Sequence, residues 1–571
     1  MNKSEVADIL DEIGTLLELK GENPFKSRAY HNAARTITGL DQDLDALVQN
    51  RQLTSIKGIG EAIAEKIATL ITTGKLPYYD ELHSSLPSGL MDMIRIQGLG
   101  PKRAKILYDK LKIKDIPGLE KACREGKIAR LEGFGDKTQE NILRGLDFLS
   151  KHAEQHRYDE ALAAAESVLS ELKKIREIER VSVCGSLRRH KEIIHDVDIL
   201  VSAPEGKMVL QRIATLPQVE RILGQGDTKA SVLLREGIQV DVRVIEDKQF
   251  PYALNYFTGS KEHNIAMRQR AIERGWKLSE YGLFDQEGKL ISCKEESDIF
   301  KKMDLEYIPP ELREDRGEIE SAEKGNLPKL IEPKDIRGVF HVHSTWSDGR
   351  ASLESMIAEA ERLGWEYVGI SDHSKSAAYA KGLTVDGVTQ QSLEIERLRK
   401  KFKIHIFWGS ECDILKDGSL DYPDKVLSQY DFVIASVHSN FNLAEAEMTQ
   451  RIIKALKNKY TTILGHMTGR LLLERDGYAV NHEDVLRAAS DLGVSIELNA
   501  HPRRLDIDWR HLPKAKELGV KISINPDAHS VEGLSVVPFG VGIARKGWLA
   551  KEDVLNTLPV GKITSWLKER H

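Results

Sequence analysis

The sequence predicts a multidomain chain: an all-α N-terminal region, an α+β middle region, and a C-terminal barrel of parallel strands close to a (β/α)7 type. Three observations lead there. The 571 residues exceed what one core accommodates, since single cores stop growing at about 250–300 residues. A Gly-apolar-Gly turn recurs three times near the N-terminus, between segments whose apolar residues (Val6, Ile9, Leu10, Ile13, Leu16, Leu17) follow a helical spacing. Beyond residue 335, seven apolar, β-branched runs alternate with helical stretches, as strand and crossover helix do in a parallel sheet.

Composition excludes several classes. Apolar residues make up 41% and charged residues 30%, with 18 Pro and 43 Gly, which is a globular balance and neither a disordered nor a fibrous one. Cys123, Cys184, Cys293 and Cys412 lie far apart with no CxxC spacing, so a disulfide framework and a thiolate zinc knuckle are both unexpected and a reducing cytoplasm is the expected location. The N-terminus lacks the apolar stretch of a signal peptide, and no uncharged apolar run approaches the roughly 20 residues of a membrane span. The net charge of −5 does not by itself point to nucleic acid, yet residues 101–130 carry ten Lys/Arg against four Asp/Glu. Of the 18 histidines, 11 fall after residue 334, several of them at the ends of apolar runs.

The three N-terminal turns are Ile56-Lys57-Gly58-Ile59-Gly60, Ile96-Gln97-Gly98-Leu99-Gly100 and Leu131-Glu132-Gly133-Phe134-Gly135. They resemble helix-hairpin-helix motifs. Their glycines (Gly58 and Gly60, Gly98 and Gly100, Gly133 and Gly135) would let the backbone approach a phosphate at a helix N-terminus, where free N–H groups favour an anion. Two copies run into basic turns, one with Lys102, Arg103 and Lys105 and one with Lys137, so contact with a DNA backbone irrespective of base sequence is expected.

The middle region reads as a helix from Tyr158 to Ile175 and strands at 181–184, 196–202, 230–234 and 238–245. The first strand enters a Gly185-Ser186 turn suited to a phosphate. Strand alternation puts Asp196 and Asp198 on one face, where two unpaired carboxylates would repel. A divalent cation removes that penalty, and hard oxygen ligands select Mg²⁺ or Mn²⁺. Two such ions can clamp both the attacking and the leaving oxygen in phosphoryl transfer. A third carboxylate, Asp241, alternates against valines on a later strand, and residues 317–333, charged and broken by Gly325, Pro328 and Pro333, read as a linker.

Gly185-Ser186, Arg188-Arg189, Asp196-x-Asp198 and Asp241, followed by Tyr256-Phe257-Thr258-Gly259-Ser260, Asn264 and Met267-Arg268, closely resemble the family X DNA polymerases. The resemblance extends to Asn23-Pro24-Phe25-Lys26 and Ala29-Tyr30 before the first hairpin. It implies that Asp196 and Asp198 bind both metals, and that Asp241 binds the catalytic one and helps deprotonate a primer 3′-hydroxyl. It also implies that Gly185, Ser186 and Arg189 contact a triphosphate, and that Tyr256, Phe257, Gly259 and Asn264 shape the nucleotide pocket. Arg268 would join the hairpins in binding DNA. His195 departs from the family, which commonly has Gly beside the first Asp. Lys66 matches the lysine that forms a Schiff base in lyase-active members, but Ala62 stands where those carry a second Lys, so a 5′-phosphate contact is the expected role.

At the C-terminal ends of the expected barrel strands stand His341-x-His343, Asp348, Ser371-Asp372-His373, Glu411, His438, His466 and Asp527-x-His529. Nine N/O ligands at one end of a barrel suit a metal cluster and not a core. Their order resembles the polymerase and histidinol phosphatase (PHP) domain over residues 336–571, implying up to three ions, Mn²⁺ or Zn²⁺, that activate water against a phosphodiester. Arg503 or Arg504 is a candidate phosphate clamp. With the resemblance, the expected organisation is a helical domain at 1–88, hairpin fingers at 89–150, palm at 151–250, thumb at 251–317, linker at 318–335 and PHP domain at 336–571. The expected function is a template-directed polymerase filling short DNA gaps from dNTPs, with a 3′-5′ exonuclease or abasic-site endonuclease in the PHP domain; the alternative is a phosphoesterase whose polymerase half only holds DNA. The chain is expected to act as a monomer.

Overall fold

The computed structural model describes residues 1, 3–38, 40, 43–94, 96, 98–152, 154–377 and 380–569. At the N-terminus, α1 (Lys3–Lys20) lies against α2 (Pro24–Thr38). Leu10, Ile13 and Leu17 of α1 are buried in one core with Tyr30, Ala33 and Ile37 of α2, as their spacing requires. Helices α3 (Glu61–Thr73), α4 (Pro101–Leu111) and α5 (Gly135–His152) each follow one of the three glycine turns. Gly58, Gly98 and Gly133 have φ of 98°, 83° and 85°, a left-handed backbone that favours glycine. Gly60 and Gly100 are the N-caps of α3 and α4, whereas Gly135 is itself left-handed at φ 71°, so the third turn enters its helix differently. Gln97 of the second turn lies outside the described residues.

In the middle region α6 (Tyr158–Leu172) precedes β1 (Arg180–Val183), the single turn α7 (Gly185–Arg188), β2 (Asp196–Ser202), β3 (Val219–Gln225), β4 (Lys229–Leu234) and β5 (Gln239–Ile245). The five strands form one sheet in the order β1-β2-β5-β4-β3. Only β2 and β5 pair in parallel, and their register sets Asp198 beside Asp241. Strand β3 was not expected. It is a sheet edge with Ile222 and Leu223 47% and 43% exposed, so no buried face imprints an alternation on its sequence. Helices α8 (Phe250–Thr258) and α9 (Lys261–Glu273) follow.

The segment expected as a linker at 318–335 is packed. Buried Glu318 bonds buried His263 of α9 at 2.7 Å, Leu330 bridges to Ala550, and the Ile331 carbonyl accepts from Arg545 Nη1 at 2.9 Å. Gly and Pro in this segment shape a bound connection instead of a free one, because its polar groups find partners on both sides.

All seven expected strands form the barrel: β6 (Gly338–Val342), β7 (Tyr367–Ile370), β8 (His405–Asp413), β9 (Phe432–Ser436), β10 (Ile463–Leu464), β11 (Ser495–Asn499) and β12 (Ile522–Asn525). They pair in sequence order, all in parallel. The ring nearly closes where Val342 bridges to Ala528, His343 N–H donating to the Ala528 carbonyl at 2.9 Å and Ala528 N–H to the His341 carbonyl at 3.2 Å. Phe340, Phe407, Phe432 and Ile463 form one cluster with Ile563 and Leu567. Gly369 makes room for it, since a Cβ there would stand 2.4 Å from the Phe340 ring. Helix α10 (Val537–Lys546) packs on β12, and α11 (Val560–Lys568) carries Ile563 and Leu567. Among the described residues no helix is long and apolar enough to cross a membrane.

Candidate active sites

The first site stands on β2 and β5. Burial, then the neighbouring Asp196 and Asp241 carboxylates, push the Asp198 carboxyl up to about 7, the cost of gathering three acids on one sheet face. Lys229 forms an ion pair with Asp241, and Gln239 Nε2 donates to its other oxygen at 3.0 Å. Burial would raise Asp241, but its bonds to Lys229, Ser231 and Gln239 hold it low. Gly185 has φ 59°, and a Cβ on it would lie 2.3 Å from Asp198 Oδ2. Glycine is therefore required for the turn and the carboxylate to approach so closely. Three hard oxygen donors, one raised toward neutral by burial and then by its acidic neighbours, form a set that fits divalent cations.

Around this face, Arg188 is a structural ion, paired with buried Glu296 at 2.7 Å. Arg189 donates from Nη1 to the Thr258 carbonyl at 2.5 Å and from Nε to Glu314 at 3.1 Å. Its Nη2 makes no hydrogen bond among the described residues. Gly259 permits this packing, because a Cβ there would stand 3.0 Å from Arg189 Nη1. Asn264 Nδ2 donates to the Tyr256 carbonyl at 2.7 Å, and the Tyr256 and Phe257 rings meet edge-on at 5.2 Å. Ser186 is half-buried, Arg268 is exposed, and His195 is exposed with its Nε2 3.1 Å from Gln155 Nε2.

The second site occupies the C-terminal ends of the barrel strands. Glu411 is its centre: its carboxylate lies 3.0 Å from His373 Nδ1 and His466 Nε2, 3.2 Å from His438 Nε2, 3.3 Å from His341 Nε2 and 3.5 Å from His343 Nε2. Asp527 approaches His343 to 3.3 Å and His341 to 3.5 Å, while Asp348 approaches His529 to 3.3 Å and His373 to 3.6 Å. All nine expected ligands thus converge, in four overlapping groups each able to hold an ion. His341 and His343 do not reach the site by simple alternation. Strand β6 shifts register between Val339 and Val342, and His341 has φ 60°, a left-handed geometry that costs energy and concentrates at functional sites. Asp527 shares it at φ 51°.

The donor chemistry of these residues fits metal ions. Both ring nitrogens of His343 and Nε2 of His341 are buried without a hydrogen-bond partner, a costly state for polar atoms unless they have another ligand. Burial, opposed by Glu411, depresses His373 to about 3, leaving a neutral, ligand-competent imidazole.

Supporting residues escaped the sequence reading. Fully buried Glu497 on β11 accepts from the His466 amide at 2.7 Å, from Asn525 Nδ2 at 3.0 Å, and faces His341 Nδ1 at 2.5 Å. Asp413 faces His438 Nδ1 at 2.7 Å. Such carboxylates fix ring orientation and raise ligand basicity. A charged residue inside the apolar run Ser495-Ile496-Glu497-Leu498 was the available signal. The two candidate arginines separate: Arg503 Nε pairs with Glu474 at 2.7 Å, away from the ligands, whereas Arg504 Nε stands 3.4 Å from Asp527.

Compared with known proteins, the chain is 38% identical over 572 aligned residues to the DNA polymerase/3′-5′ exonuclease PolX of Bacillus subtilis, with both chains covered completely. The chain belongs to the family X DNA polymerases that carry a PHP domain. Family models agree along its length: a helix-hairpin-helix domain at 1–76, a SAM-like helix-hairpin-helix tandem at 90–147, the DNA polymerase beta palm at 157–239 and thumb at 253–314, and the PHP domain at 340–501. The two halves also match separate relatives. A probable phosphatase of Thermoanaerobacter sp. is 31% identical over 243 residues, 40% of this chain and 94% of its own, and rat DNA polymerase lambda is 25% identical over 317 residues, 49% of this chain and 52% of its own.

In this family X chain the hairpin cations are unequally available. Lys102 is exposed, Arg103 Nη1 turns back to the Gly98 carbonyl at 2.8 Å, and Lys105 is paired with Asp109 at 2.7 Å. Lys66 donates to the Ala62 carbonyl at 3.1 Å and lies 4.7 Å from the Tyr78 ring centroid, a helix lysine stacked on an aromatic face.

Proposed function

We propose that this chain extends a DNA primer opposite a template at short gaps, releasing pyrophosphate, and that its PHP barrel degrades DNA from the 3′ end. The observation that carries the reading is the β2–β5 register, which brings Asp198 and Asp241 together beside Asp196, in a chain whose barrel also gathers His, Asp and Glu side chains into groups that could hold metal ions.

In the polymerase half, Asp196 and Asp198 would hold both divalent cations, Mg²⁺ or Mn²⁺, with Asp241 on the catalytic one. Asp241 would accept the primer hydroxyl proton once Lys229 yields its place. The free Nη2 of Arg189, with Ser186 and the Gly185 turn, would orient the triphosphate. Tyr256, Phe257, Gly259 and Asn264 would border the sugar and base. The hairpin glycines Gly58, Gly60, Gly98, Gly100, Gly133 and Gly135, with Lys66, Lys102, Arg103, Lys105 and Arg268, would follow the DNA backbone. In the barrel His341, His343, Asp348, His373, Glu411, His438, His466, Asp527 and His529 would hold up to three Mn²⁺ or Zn²⁺ ions, and Arg504 would steady the scissile phosphate. Bound cations supply charge neutralisation and an activated oxygen; the chain's part is orientation and exclusion of competing ligands.

A gapped duplex carrying a 5′-labelled primer, with a matched duplex that contains an abasic site, incubated with and without dNTPs, tests both halves at once. Gap filling with dNTPs and stepwise 3′ shortening without them are expected. Absence of incorporation would leave the polymerase half as a DNA-holding module, and cleavage restricted to abasic sites would move the barrel to endonuclease chemistry.

A further inference from the structure

Lys546 is a lysine with a fully buried side chain. It ends helix α10 of the barrel, yet its Nζ donates to Glu314 Oε1 of the thumb at 2.6 Å, to the Arg189 carbonyl of the palm at 2.9 Å and to the Glu311 carbonyl at 3.4 Å. A buried ammonium is expensive unless all its protons find acceptors, and here three acceptors from two other domains receive them. The indole of Trp509 lies 4.6 Å from the same nitrogen. Burial lowers Lys546 only to about 8, so it is charged at neutral pH.

Glu314 is shared. It also takes Arg189 Nε at 3.1 Å and Lys191 Nζ at 3.1 Å. Burial works against its charge, but Lys546 first and then Arg189 hold it at about 2, fully ionised. One carboxylate therefore divides its charge among three cations. The shortest contact belongs to the barrel lysine.

We infer that Lys546 is a positioning residue for nucleotide binding: by drawing the charge of Glu314 toward itself, the PHP barrel leaves the Arg189 guanidinium attractive to the triphosphate of an incoming nucleotide. The inference rests on the proposed contact between Arg189 and the nucleotide. Without the ammonium, Glu314 has only Arg189 and Lys191 left to neutralise, so it competes harder with the triphosphate for the same guanidinium. The barrel thus tunes the polymerase from a domain boundary, without touching nucleotide itself.

The test measures KM for dNTP, kcat for single-nucleotide gap filling, and 3′ degradation of a labelled strand in the full-length chain. Lys546→Met should raise KM by about tenfold, within the range of coupling between contacting charges, with kcat and nuclease rate changed less than about twofold. Adding Glu314→Gln to Lys546→Met should bring KM back toward the wild-type value, because the competing charge is gone; a purely structural role predicts that the double variant is worse. Should Lys546→Met fail to fold, Lys546→Gln, which can still donate to the two carbonyls, carries the same expectation. Arg189→Ala separates the two ideas. If it raises KM while Lys546→Met does not, or if Glu314→Gln fails to restore, the positioning role is wrong and the nucleotide contact stands. An Arg189→Ala protein with unchanged KM would overturn the contact and the inference together.

Discussion

The carboxylate site and the histidine site solve one problem, gathering like groups around cations, in opposite ways. On the palm sheet Asp196 and Asp198 are half-buried and stand beside buried Asp241, three oxygen donors of which two are open to solvent. In the barrel His341, His343, His373, Glu411, His466 and Asp527 are all buried, and six imidazoles are set among the three carboxylates Asp348, Glu411 and Asp527. A partly open set of hard ligands can exchange its ions with each incoming nucleotide, whereas a buried nitrogen-rich set retains them and discriminates by ligand softness. The contrast teaches that the two activities are built to be separable, although the chain joins them through a buried seam.

Substitution breaks the comparison most directly. Asp196→Ala or Asp241→Ala should reduce incorporation by about three orders of magnitude or more while 3′ degradation persists, and His341→Ala or Asp527→Ala should do the reverse. Incorporation and degradation measured on the same preparations decide it. Parallel loss of both in a folded variant would show one coupled site.

Metal replacement sharpens the contrast at a lower magnitude. The ratio of Mn²⁺- to Mg²⁺-supported rate should be about tenfold higher for degradation than for incorporation, since imidazole favours transition metals and carboxylate does not. Titrating each ion against both activities gives the ratio, and equal ratios would contradict the assignment of nitrogen ligands to the nuclease.

The seam between the halves should respond to pH. His190 of the palm stacks on Tyr158 at 4.9 Å and fills the space over Gly542 of the barrel, where a Cβ would come within 2.2 Å of it. Burial, then the nearby cations Arg545 and Lys546 against the pull of Glu311, lowers it to about 4. It is neutral in the fold and protonates in the unfolded chain near its ordinary 6.5, so between those values the unfolded chain binds more protons. Stability therefore falls as pH drops through 6.5 and continues to fall until about 4, by about 2 kcal/mol at pH 5. His190→Gln should lose that part of the acid dependence of Tm, and an unchanged dependence would place the titrating group elsewhere.

The smallest effect concerns DNA. Changing Lys102, Arg103 and Lys105 together to Ala should flatten the salt dependence of duplex binding by about one unit of slope, not nearly three, at about 0.9 per phosphate contact. Arg103 and Lys105 already have partners within the chain, and a full three-contact loss would mean those partners yield to DNA.

Read alone, the sequence determined the seven barrel strands, the nine candidate ligands at their ends and the paired aspartates of β2. Each of these is written locally, in alternation, in β-branched runs and in residues that have no reason to end a strand unless they bind something. The hairpin turns were legible for the same reason, through glycines whose positive φ other residues rarely adopt. Tertiary structure alone decided the rest. The placement of Asp241 against Asp198 is a register between two strands that β3 and β4 separate in the sequence. The contacts of Glu497, Asp413 and Arg504, the bound state of residues 318–335, and the reach of Lys546 to Glu314 across 232 positions come from groups meeting from distant parts of the chain. A side chain's charge can be read from its letter. Its partner is chosen by packing, because a buried charge is tolerated only where the fold delivers an opposite one.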